Sequence, residues 1–150
     1  MKLPTNILVP IDFSETADRA LDYAIMLAAK LAARIHLVHV ISIPSYGIPD
    51  LGVAVTSTMM ESLVRDGQAA LDRITEQRKG EATFGDVLLR TGDPRNMILE
   101  AVNDVGADLI VIGTHGRSGV ARVLLGSVAE AVVRTSPCPV VVVPTTATRR

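Results

Sequence analysis

The stretch Asp108–Val143 reads DLIVIGTHGRSGVARVLLGSVAEAVVRTSPCPVVVV. An unbroken apolar run ends at Gly113. A loop carrying Gly113, Gly116, Gly119 and Gly126 follows, then a run with helical spacing, then four valines behind Pro137-Cys138-Pro139. A strand that is polar on neither face is buried on both, which marks a parallel sheet between helical layers. Two such strands with a helix between them form one crossover unit.

The same unit repeats towards the N-terminus. NILVPID (Asn6–Asp12) reads as a buried strand ending at an acid, and Ser14 is the expected cap of the helix that follows. Ala17, Ala20, Leu21, Ala24, Leu27, Ala28 and Leu31 recur at helical spacing. RIHLVHVIS (Arg34–Ser42) is the second strand, and a Pro/Gly-rich loop from Ser42 to Ala54 leads to a helix through Met60, Leu63, Gly67, Leu71 and Ile74. TFGDVLLR is the third strand, weakened by Gly85. Asp93-Pro94 starts a helix that Gly106 ends.

Four strand–helix units closed by a strand predict a doubly wound, five-stranded parallel sheet with helices on both faces, in the order 3-2-1-4-5. Residues 1–150 form one domain in this reading, with a flexible tail over 144–150. Winding reverses between strands one and four, and ligands bind beyond the strand ends at such a point. Asp12 and Gly113 therefore face each other.

Composition narrows the function. A net charge of -1 supplies no basic field for nucleic acid, and aromatics at 3% supply no stacking platform. No run reaches the length of a membrane helix, and the first apolar run is too short for a signal peptide, so a cytoplasmic location is expected. The only cysteine, Cys138, excludes an internal disulfide and reads as a small apolar residue at a strand entrance.

The glycine loop fits neither the P-loop, which needs a lysine, nor the dinucleotide fingerprint, nor the nucleophile elbow. Its physics still favours an anion. Gly126-Ser127 directly precedes a helix, whose free amides and positive dipole end attract phosphate. Ser127 adds a hydroxyl, as cap or phosphate donor, and Arg117 a charge-assisted bond. Gly113 and Gly116 allow close backbone approach, and Asp12 suits two ribose hydroxyls. A nucleotide layout results.

The spacing Gly113-x2-Gly116-x9-Gly126-Ser127 resembles the nucleotide motif of ATP-binding universal stress proteins. The resemblance covers nearly the whole chain, from ILVPID and Ser14 through LVHV and GDP to LLGSVAEAVVRTSPCPVVVV. It implies that Pro10, Ile11 and Asp12 line the adenosine, with Asp12 on the ribose, and that the backbone of Val40 meets adenine. It places Ile112, Gly113, Gly116 and Arg117 beside ribose and phosphates, and Gly126, Ser127 and Val128 on the phosphates. ATP or AMP with Mg²⁺, and a homodimer formed through Val140–Val143, are further implications.

Simpler readings compete. The glycines could serve a turn, Asp12 could cap the first helix, and Arg117 could be a solvated charge. His115 reads as a solvent-facing loop histidine. His36 and His39 should face opposite sides of their strand, a poor metal pair, and read as packing residues. Three functions stay open: a nucleotide-binding regulatory protein, a slow ATP hydrolase, and a ligand-free dimeric interaction module. No catalytic residue and no metal-ligating side chain is singled out. One arginine, no lysine and a single carboxylate predict hydrolysis that is slow or absent. The protein partner is not indicated.

Overall fold

The strands carry the buried runs. Ile7, Leu8 and Val9 are wholly inaccessible to solvent, as are Ile35, Leu37, Ile110 and Val111. A computed structural model describes residues 1–43, 57–115 and 125–145. In order these give β1 (Asn6–Pro10), α1 (Glu15–Leu31), β2 (Arg34–Ile41), α2 (Ser57–Gln77), β3 (Thr83–Thr91), α3 (Pro94–Val105), β4 (Leu109–Gly113), α4 (Ser127–Thr135) and β5 (Val140–Val143).

The five strands form one sheet in the order β3-β2-β1-β4-β5, every pair parallel. Two apolar layers sandwich it. Ala17, Ala20, Leu21, Ala24 and Ala28 of α1, with Leu71 of α2, pack on Ile7, Val9, Ile35 and Leu37. Ile98, Ala101 and Val102 of α3, with Ala129 and Val132 of α4, pack on Leu8, Val38, Ile110 and Ile112. Alternate residues of each strand feed the two layers, as a sheet covered on both faces requires.

Beyond β5, the amide of Thr145 donates to Thr114 Oγ1 at 3.3 Å. Residues 146–150, and positions 44–54 of the long loop, lie outside the described residues.

Candidate functional site: a crevice at the sheet's switch point

β1 is flanked by β2 on one side and β4 on the other, so the winding reverses there. A crevice of about 990 Å³ opens beyond the C-terminal ends of these strands. It brings together Pro10, Ile11, Asp12, Val40, Ile112, Gly113, Gly126, Ser127 and Val128. Gly116 and Arg117, the other two candidates, lie outside the described residues.

At the β1 end, Asp12 does not cap α1. Ser14 does, its hydroxyl accepting from Ala17 N at 3.2 Å. Asp12 acts one step earlier: its Oδ1 accepts from the amide of Ser14 at 3.0 Å and from the Ser14 hydroxyl. The carboxylate is thereby oriented through one oxygen, and among the described residues nothing engages Oδ2. That oxygen is left to accept from a ligand hydroxyl.

At the β4 end the glycines have a reason the sequence did not disclose. A Cβ at Gly113 would stand 2.9 Å from the main-chain carbonyl of Thr16, so glycine lets β4 end against the first turn of α1. A Cβ at Gly126 would stand 2.6 Å from Thr114 O, and the Gly126 amide donates to that carbonyl at 2.5 Å. The clearance serves the protein's own backbone. The Thr16 hydroxyl adds a bond to His115 O, tying the turn after β4 to α1.

Ser127 is not the cap of α4. Gly126 holds that position and contributes no side-chain bond, which leaves Ser127 exposed at the first helical residue. The amides of Ser127, Val128 and Ala129 find no acceptor among the described residues, whereas α1 and α3 are capped by Ser14 and Asp93. Open amides at a helix start carry partial positive charge and face the crevice.

The structure adds side chains that the sequence reading left out. Phe13, Thr16, His39 and Thr114 line the crevice, as do Leu63, Asp66, Gly67 and Ala70 of α2. His115 is half-buried beside Thr114, not merely solvent-facing, its Nδ1 3.0 Å from Thr114 Oγ1. No motif marks the α2 residues, because α2 becomes a wall only once it packs on β2. Among the described residues, no three His, Cys, Asp or Glu side chains gather where they could hold a metal ion.

A family model described as the universal stress protein family matches residues 4–144. The universal stress protein MJ0531 of Methanocaldococcus jannaschii is 35% identical over 139 residues, spanning 92% of this chain and 81% of that protein. The solved structure of MJ0577 superposes with a TM-score of 0.84 at 28% identity, over 98% of this chain and 100% of that one. MJ0577 comes from the same organism as MJ0531. Two remoter structures share the fold at TM-scores of 0.70 and 0.64 and identities of 24% and 21%. One is a universal stress protein in complex with cAMP, covering 97% of this chain and 100% of its own. The other, from Arabidopsis thaliana with AMP bound, covers 97% and 95%.

Proposed function

The chain belongs to the universal stress protein family, and we propose that its crevice binds an adenine nucleotide, ATP or AMP, in a cytoplasmic regulatory protein of stress response. One observation carries this reading: a carboxylate with an oxygen that nothing engages among the described residues lies across the point where the sheet reverses from a helix start whose cap, Gly126, offers no side-chain bond. A ribose has two hydroxyls to donate to Asp12, and phosphates accept from the amides of Ser127 to Ala129. The complexes of fold relatives with AMP and cAMP support the choice of nucleotide. Gly116 and Arg117 belong to the proposed phosphate side by sequence.

Mg²⁺ would come with ATP, held mainly by phosphate oxygens and water, as is usual for this ion. The chain's own part is to position the phosphates at α4 and the ribose at Asp12. Fast hydrolysis is not part of the proposal, because Asp12 is held through Oδ1 by the Ser14 turn and its other oxygen is assigned to the ribose. The functional unit is a homodimer joined through Val140–Val143, and bound nucleotide alters the surface it offers to a protein partner.

Mass spectrometry of small molecules released from freshly purified protein tests the ligand class, and calorimetry with Mg·ATP and AMP tests affinity. Asp12→Ala is expected to weaken binding roughly tenfold or more, the usual effect of losing a charged hydrogen-bond acceptor. No co-purified nucleotide and no binding heat would leave the ligand-free interaction module in its place.

A further inference from the structure

The interior of α2 contains a buried glycine, Gly67. Glycine weakens a helix interior relative to alanine, so a close neighbour is the reason to look for. A Cβ at this position would stand 3.2 Å from Leu89 Cδ1 and 3.4 Å from Cδ2 of His39. α2 is therefore seated on the imidazole of His39.

The same ring reaches the Asp12 turn by two other routes. Its Nδ1 lies 2.7 Å from the carbonyl oxygen of Ile11. A carbonyl only accepts, so Nδ1 carries the proton. The amide of Ile11 donates to Val38 O at 2.8 Å. Both main-chain groups of Ile11 are thus fixed by consecutive residues of β2, immediately before Asp12. The ring of Phe13 packs on His39 with centroids 4.5 Å apart, tilted by 51°. Phe13 has φ of 62°, a left-handed conformation unfavourable for a residue with a Cβ. Such a conformation persists where its surroundings over-determine it. Here those surroundings are the bonds of Asp12 to Ser14 on one side and the imidazole of His39 on the other.

We infer that His39 is the positioning residue of the crevice: it fixes the turn that presents Asp12 and seats α2 against that turn. The inference rests on the nucleotide reading for its functional weight, since a fixed Asp12 matters to a ribose. Its structural half stands without a ligand.

Two variants separate the donor from the ring. His39→Asn keeps an N–H where the imidazole has Nδ1–H and loses the ring. His39→Phe keeps a ring against Phe13 and Gly67 and loses the donor. Calorimetry with AMP is expected to give an affinity within about threefold of wild type for His39→Asn, and about tenfold weaker for His39→Phe. Thermal unfolding is expected in the opposite order, with His39→Phe the more stable of the two, because burial of the ring is retained. In nucleotide-free protein, the Ser14 amide, which donates to Asp12 Oδ1, is expected to exchange with deuterium faster in His39→Phe than in wild type. A histidine that only packs gives affinities that follow the melting temperatures and an unchanged Ser14 exchange rate, and either result overturns the inference. If wild type binds no AMP, the nucleotide reading falls, and Ser14 exchange still decides whether His39 holds the turn.

Discussion

His36 is 4% exposed, and both its ring nitrogens are satisfied. The amide of Asp86 donates to Nδ1 at 2.9 Å, which leaves Nε2 as the donor to Asn6 Oδ1 at 3.0 Å. Burial pushes the imidazole pKa below its ordinary 6.5; the Asp86 carboxylate pulls it up and Arg34 pushes it down, and burial prevails. The unfolded chain therefore takes up a proton at a pH where the native state resists it. Stability is complete above about pH 6.5 and is lost as pH falls through that range. The melting temperature is expected to drop between about pH 7.5 and about pH 5.5. In His36→Gln the amide can donate to Asn6 and accept from the Asp86 amide without titrating, so the drop should shrink; thermal unfolding of both proteins at both pH values checks this. The sequence correctly sets His36 and His39 on opposite faces: His36 is paired with Leu8 on the α3–α4 side, and His39 packs on Phe13 and α2. What it could not convey is why a strand would hold Gly85. A Cβ there would stand 2.4 Å from His36 Cε1, and that neighbour lies on another strand.

Helix ends show which element boundaries are legible. Ser14, Asp93-Pro94 and Gly106 announce themselves by residue type, and the structure uses each as read. The exit of α1 does not, because the left-handed position falls on Ala32, at φ 53°. The helix ends at Leu31, where the apolar spacing stops, but no glycine or proline marks the position. At α4 the sequence reads Ser127 as a cap or a phosphate donor, and the cap position falls to Gly126, since only a residue without a Cβ fits against Thr114 O. This separates two substitutions that sequence alone would treat alike. Gly126→Val must push α4 away from the turn after β4, with an expected cost of about 1–3 kcal/mol in stability as well as loss of nucleotide binding. Ser127→Ala removes an exposed hydroxyl that caps nothing. It should leave the melting temperature unchanged and weaken nucleotide binding roughly two- to tenfold. Thermal unfolding and calorimetry on the two variants distinguish these outcomes, and equal destabilisation by both would contradict the assignment of the cap. The β1 and β4 sides of the crevice were legible because topology alone brings strand ends together. The α2 wall was not, because it depends on how a helix beyond a long loop settles on β2.

At the scale of the whole sheet, the two edges are built differently. β3 is nine residues long, carries Asp86 and Arg90, and shifts register against β2 between Ile35 and Leu37. Charges and irregularities of this kind discourage a further strand from adding. β5 is four valines, half-buried, with β4 as its hydrogen-bonded neighbour. Val141 and Val143 pack towards the α1 layer, and Val140 and Val142 towards α3 and α4, so both faces are covered, while among the described residues no strand pairs with the outer edge. An apolar edge without a protecting charge is the one suited to pairing with a second copy, which supports the proposed homodimer. The hydrogen-bond alternation selects the residue to test. Pro139 and Val143 turn their carbonyls towards β4, accepting from Ile110 and Thr114 at 3.0 Å each, so the alternation points the amides of Val140 and Val142 outward. Proline at 142 removes one outward donor and leaves the ladder to β4 in place. Analytical ultracentrifugation is expected to give wild type at twice the 15.9 kDa chain mass and Val142→Pro at the chain mass. AMP affinity should be retained, because no β5 residue lines the crevice among the described residues. A wild type that sediments as a monomer would remove the dimer from the proposal, and a variant that stays dimeric would place the interface elsewhere.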